Sequence, residues 1–149
     1  MAKCGRLPGG WCVGKGRLKP EFVVRVESFS DRCIAVAEQL DEDHRFRRLV
    51  EQLAASGSAV GANLAEADEA MSTKDFRKSL GIAVKELVET RFWLRMVIRR
   101  GWLSASRLDP LLAELAEIKL IVGALLSKTK DPLVVRQSAR PASGGVRLS

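Results

Sequence analysis

The residues able to do chemistry are few. Gly9-Gly10-Trp11-Cys12-Val13-Gly14-Lys15 has the glycine and lysine spacing of a phosphate-binding loop, whose amides and lysine cradle nucleotide phosphates. Gly16 follows, where magnesium binding needs Ser or Thr. No strand pattern precedes the segment and Pro20 follows closely, so it reads as a chance match in a glycine-rich stretch. The single histidine, His44, sits beside the acidic cluster Asp41-Glu42-Asp43 at an expected helix start. With no Ser or Cys nucleophile in a recognised catalytic setting, it reads as a surface group rather than a general base. Glu66, Glu86 and Glu89 fall on two central helix patterns, which raises the question of a carboxylate-bridged metal pair. That site requires Glu-x-x-His on two helices, and neither helix offers it. No metal and no cofactor are expected. The acids are expected to pair with Lys85, Arg91 or Arg95, or to satisfy polar groups at a helix contact, because buried carboxylates need partners.

Basic residues leave a more open question. Arg77, Lys78, Lys85, Arg91, Arg95, Arg99 and Arg100 outnumber Asp75, Glu86 and Glu89 on one helix pattern. Arg91, Arg95 and Arg99 recur at one-turn intervals, a ridge able to track phosphates. A solvated face whose last-turn arginines answer the helix dipole is the reading these residues favour. Trp93 and Trp102 read as core, as a base-stacking platform or as subunit contacts, since aromatic and arginine enrichment also marks interfaces.

These residues belong to a chain of 149 residues, 46% hydrophobic and 29% charged, with a net charge of +7. That length suits one domain with a real core. The charge sits mainly at the ends. Residues 1–20 carry five basic residues and no acid, and residues 128–149 carry five against Asp131. The middle, 21–127, holds 15 basic and 17 acidic residues and is nearly neutral. No apolar run reaches the length of a membrane span, and residues 1–20 lack the apolar segment of a signal peptide. Cys4, Cys12 and Cys33 are an odd number without Cys-x-x-Cys spacing, so neither a disulfide framework nor a zinc site is indicated and a cytoplasmic location is expected.

Glycine and proline content marks 1–20 as a disordered basic extension and 129–149 as a disordered basic tail. Between them, residues 21–128 show helical apolar periods and no sustained strand alternation. The first stripe is Val26, Phe29, Cys33, Val36 and Leu40, and the acidic cluster after it suits the start of the next helix. The second runs Phe46, Leu49, Leu53, Ser56, Val60, Leu64, Ala67 and Met71. Gly57 and Gly61 interrupt it, each at a cost of about 1 kcal/mol relative to Ala. The small run 54–59 would offset this by letting a neighbouring backbone approach closely. Ser72 and Asp75 have capping-box spacing for a third helix, with stripe Phe76, Leu80, Ala83, Leu87, Leu94 and Val97, broken around Thr90 and stopped by Gly101. Asp109 and Pro110 are expected to start the fourth, with stripe Leu111, Leu115, Ile118, Val122 and Leu125. Four such helices with short loops predict an all-α, antiparallel up-down four-helix bundle.

Specific residues then match a known pattern. Gln52, Ser58, Asn63, Ala65 and Glu66 within 49–67 resemble the second helix of the bacterial four-helix bundle family encoded in intervening sequences of 23S ribosomal RNA genes. Asp75-Phe76, Leu80-Gly81-Ile82-Ala83 and the stretch from Glu86 through Glu89-Thr90-Arg91-Phe92-Trp93-Leu94 resemble its third helix. The match covers about 26–127. It implies an up-down subunit assembling into a ring-like homo-oligomer, a pentamer, and a relationship to accessory proteins of diversity-generating retroelements, which bind a reverse transcriptase and nucleic acid. Ala54 and Ala55 stand where the family commonly has arginines, and Ala67 where it usually has glycine. Residues 1–20 fall outside the pattern, implying a native start near Val26. The expected function is non-enzymatic: self-assembly with binding of RNA, DNA or a nucleic-acid-processing protein, and no membrane. Arg77, Lys78, Arg91, Arg95, Arg99 and Arg100 are the candidate contacts. Gln52, Ser58, Asn63, Glu66, Phe76, Glu86 and Glu89 are the structural signature. A protein-interaction or scaffold module is the alternative, and an enzyme built on the three glutamates ranks behind both.

Overall fold

The computed structural model describes residues 16–130. Cys4, Cys12, the phosphate-loop match up to Lys15 and the tail from residue 131 lie outside them. The described residues form four helices and no strands: α1 (Pro20–Glu42), α2 (Arg47–Asp68), α3 (Thr73–Arg99) and α4 (Ala105–Lys128). No helix is long and apolar enough to cross a membrane among the described residues.

The connections span only residues 43–46, 69–72 and 100–104, so sequential helices must lie side by side and run oppositely. Cross-helix contacts follow that direction. Gly57 and Gly61 of α2 face Cys33 and Ser30 of α1 in reverse order. Arg25, early in α1, reaches Glu114 and Glu117 of α4, and Gln39, late in α1, receives Arg107 from the start of α4. The helices pack most extensively along α2–α3 and α1–α2, less along α3–α4 and least along α1–α4.

The stripes form one core. Phe29, Cys33, Leu40, Leu53, Val60, Leu80, Leu87, Leu94 and Ile118 are fully buried, and Val36 and Leu125 are half-buried. The break in the α3 stripe is filled by Thr90, which is fully buried with its hydroxyl 2.8 Å from the Glu86 carbonyl and 3.0 Å from Ser56 Oγ of α2. The small run of α2 does admit a close neighbour. A Cβ on Gly57 would overlap the Cys33 Cβ, and one on Gly61 would stand 2.7 Å from Ser30 Oγ. Ser30 Oγ is buried there without a hydrogen-bond partner. Ser72 caps α3 by accepting from the Asp75 amide at 3.0 Å, and Gly101 closes it at φ +66°.

Several expectations are corrected. α4 begins at Ala105 and carries Pro110 inside it. Leu108, only 1% exposed, extends the apolar stripe one turn upstream of Leu111 and past the proline. Its burial, worth about 1.5–3 kcal/mol, offsets the hydrogen bond that Pro110 removes. Asp41 and Glu42 lie in the last turn of α1, not at the head of α2, and α2 has no acid in its first turn. Phe46 and Met71, read as stripe residues, flank α2 and are 69% and 97% exposed. Pro20 is the first residue of α1, where its fixed φ suits the helix. Residues 16–19 pack on the bundle rather than extending from it: the Arg17 and Leu18 amides donate to the Asp68 carbonyl and carboxylate at 3.0 and 2.7 Å. With Leu18 and Phe22 in the core, a fold starting near Val26 would lose part of its interior.

Candidate nucleic-acid interface

The basic residues of α3 divide into two groups. Arg77 is half-buried and donates to the Leu126 carbonyl at 2.7 Å and to Thr129 Oγ1 at 3.2 Å, closing the C-terminal end of α4. It is a helix-end ligand, consistent with the negative end of the helix dipole. Lys78 is exposed beside it. Arg91, Arg95, Arg99 and Arg100 are exposed toward the other end of the helix, beginning roughly 20 Å away at 1.5 Å per residue.

Arg91, Arg95 and Arg99 follow one another at successive turns, so their side chains stand on one face. They border an open groove of about 660 Å³ floored by Val88, Phe92 and Met96 of α3 and Leu112 of α4. Val88 and Phe92 are one turn apart on the side of α3 away from the core, 40% and 53% exposed. A second cleft of about 460 Å³ adjoins it, lined by Phe46, Leu49, Phe92, Trp93, Met96 and Trp102 with Arg48 and Arg100 at its margin. The Arg45 and Arg100 guanidinium carbons lie 5.8 and 5.9 Å from the Trp102 ring centroid, within cation–π range. Trp93 is half-buried, meets Phe92 edge-on at 4.8 Å, and donates its indole N–H to Glu89 at 3.1 Å.

The expected pairing of the α3 acids with Lys85, Arg91 or Arg95 is not formed. Among the described residues the ion pairs are Arg25 with Glu114 and Glu117, and Arg47 with Glu51. Glu89 is committed to Trp93. The Glu86 carboxyl is pushed above its ordinary range, first by partial burial and then by the charge of Glu89. The arginine ridge therefore carries cations that no carboxylate of the described residues neutralises. Glu66 is exposed on α2, and no metal-binding cluster of His, Cys, Asp or Glu occurs among the described residues. His44 is exposed with φ 53°, in the turn after α1.

The other signature residues lie on α2 and α3. Ser58 bonds back to the Ala54 carbonyl at 2.8 Å and Asn63 to the Ala59 carbonyl at 2.8 Å, while Gln52 is half-buried on α2. Phe76 is buried with the Arg17 guanidinium carbon 5.5 Å from its ring centroid. Arg45, Phe46, Arg48 and Phe92 are not among the candidate nucleic-acid contacts named from the sequence. The signal for Phe92 lies in the spacing: Val88 and Phe92 sit one turn apart off the buried stripe, between arginines. Phe46 carried no such signal, because its hydrophobicity fits the α2 period.

The family model for the 23S rRNA-intervening sequence protein matches residues 21–124. A solved structure from Bacteroides thetaiotaomicron, a protein of unknown function from the S23 ribosomal protein family, is similar at a TM-score of 0.68 and 28% identity, over 72% of this chain and 96% of that one. No curated protein matches the chain. The extent of the family match, over the whole bundle from α1 into α4, makes this chain a member of the 23S rRNA-intervening sequence protein family.

Proposed function

We propose that this chain is a non-enzymatic, self-assembling bundle subunit that binds RNA through the C-terminal half of α3. The observation that carries the reading is the ridge of Arg91, Arg95 and Arg99, exposed at one-turn spacing and unpaired with any acid of the described residues. Arginine matches phosphate in geometry and keeps its charge at every physiological pH. The family description associates the protein with an intervening sequence of 23S rRNA, and the reading takes its ligand class from that association. Ring-like assembly, with five copies as the family resemblance implies, is part of this reading. Exposed apolar side chains such as Ile34 and Leu120 are available for contacts between copies.

Salt titration of binding to a fluorescent RNA tests it. Each neutralised phosphate steepens the log–log slope by about 0.7 for a single strand, so a ridge of three arginines gives a slope of about −2 or steeper. Replacing Arg91, Arg95 and Arg99 by Gln flattens it. Absence of binding at low ionic strength, or binding indifferent to salt, rejects the proposal.

A second reading, a protein-interaction module without direct RNA contact, is favoured by the apolar floor of the groove beside the ridge. Light scattering separates the two. On this reading the arginine-to-Gln variant changes the mass of the assembly, whereas on the RNA reading it changes affinity at constant mass.

A further inference from the structure

We infer that the cleft between Phe46 and Phe92 receives unpaired bases, so that the RNA reading, on which this rests, becomes one of single-stranded recognition. Phe46 is 69% exposed and Phe92 53%, although both are large apolar rings. Water contact at two neighbouring rings is unfavourable, and the cleft between them is lined chiefly by Trp93, Met96 and Trp102. Its rim is cationic: Arg45 and Arg100 stand over Trp102, and Arg48 borders the opening. None of these three pairs with an acid of the described residues. An apolar aromatic floor under an unneutralised cationic rim complements a polyanion that also offers flat apolar faces. A single strand has both properties. A duplex holds its bases in its own stack and offers no base face to the cleft.

The connection between cleft and ridge strengthens the inference. Phe92 and Met96 line both the arginine groove and the aromatic cleft, so the two form one continuous track along α3. A strand whose phosphates follow Arg91, Arg95 and Arg99 passes its bases over Phe92. Such stacking tolerates any base, because every base has a π face.

The test uses the full-length protein with three fluorescein-labelled probes: a twelve-nucleotide oligo(U), a twelve-nucleotide oligo(A), and an RNA hairpin with a twelve-base-pair stem. Anisotropy titrations compare wild type with Phe46→Ala, Phe92→Ala and Arg95→Gln. The two phenylalanine positions are exposed, so circular dichroism melts are expected to match wild type; Phe92→Leu, which keeps apolar bulk without a ring, serves where they do not. The single strands are expected to bind more tightly than the hairpin. Each Phe→Ala change weakens the single strands by about 5- to 100-fold, leaving the salt slope and the hairpin affinity unchanged. Arg95→Gln lowers the salt slope by about 0.7 for the single strands. Equal affinity for hairpin and single strand, with both phenylalanine variants silent, overturns the inference and leaves RNA binding through phosphates intact. A change in assembly mass on Phe46→Ala or Phe92→Ala with unaltered affinity also overturns it, assigning the cleft to contacts between copies. Failure of all three probes at low salt overturns the inference together with the RNA reading.

Discussion

Arg77 of α3 holds the end of α4, donating from one guanidinium nitrogen to the Leu126 carbonyl at 2.7 Å and to Thr129 Oγ1 at 3.2 Å. Arginines at the two ends of the same helix thus have different surroundings. Arg77 satisfies carbonyl groups that a helix end leaves open, whereas Arg95 faces solvent beside an apolar groove. Replacing Arg77 by Ala should destabilise the protein by about 1.5–3 kcal/mol, the range for a charge-assisted hydrogen bond, while RNA affinity changes little. Arg95→Gln should do the reverse. Paired thermal melts and anisotropy titrations check this crossing of effects.

Glycines on the bundle should respond to alanine with opposite signs. Gly57→Ala drives a methyl into Cys33, and the overpacking, about 1–3 kcal/mol, exceeds the gain of up to about 1 kcal/mol in helix propensity. Gly81 and Gly123 have open space where a Cβ would stand. Alanine there should raise stability by up to about 1 kcal/mol each. Denaturant midpoints at constant slope measure both.

Two glutamates should give opposite pH signatures. Hydrogen bonding from Arg25 holds the Glu114 carboxyl below its ordinary range, against an opposing effect of burial. Its contribution is complete above the unfolded pKa, near about 4.3, and is lost as pH falls through the lower folded value. Glu86 is raised instead, so its favourable contribution exists below the unfolded pKa and is lost as pH rises through the folded one. At pH 7, Glu114→Gln should therefore destabilise, by at most about 1 kcal/mol for a partly exposed pair, and Glu86→Gln should stabilise. Both differences should shrink in acid. Melts across the carboxylate range read the two signs.

Cys33 is fully buried, and loss of hydration pushes its thiol up to about 12 despite the neighbouring charge of Arg32. In a variant with Cys4 and Cys12 changed to Ser, Cys33 should resist a thiol reagent at pH 8 until denaturant is added. Prompt labelling in native buffer would contradict the packing described at the α1–α2 contact.

The bundle was largely legible because one physical rule, apolar residues at helical spacing, governs α1 to α3 and most of α4. Gly57 and Gly61 also announced themselves, since two costly glycines on a buried stripe need a close neighbour. The start of α4 was misread where two local rules compete: proline favours the first helical position, but Leu108 buries more by extending the helix past it. The role of Arg77 was hidden for a different reason. Its partners lie 49 and 52 residues away, and no local pattern distinguishes it from Arg91 or Arg95. Phe46 shows the same limit for apolar residues, whose type suggests burial but does not supply the neighbour that would bury them.

Arg17 docks beside Asp68, Ala70 and Phe76, while Arg77 meets Thr129, so the chain enters and leaves the described bundle at one end. The segments beyond, 1–15 and 131–149, contribute +3 and +2 of the +7 charge. The arginine ridge stands at the opposite end, roughly 27 Å away between residues 77 and 95 of α3. The cations of the ridge are side chains at fixed spacing, and they stand at the end of the bundle away from both Arg17 and Thr129. A ligand seated on the ridge would therefore lie well clear of both points where the chain passes beyond the described residues.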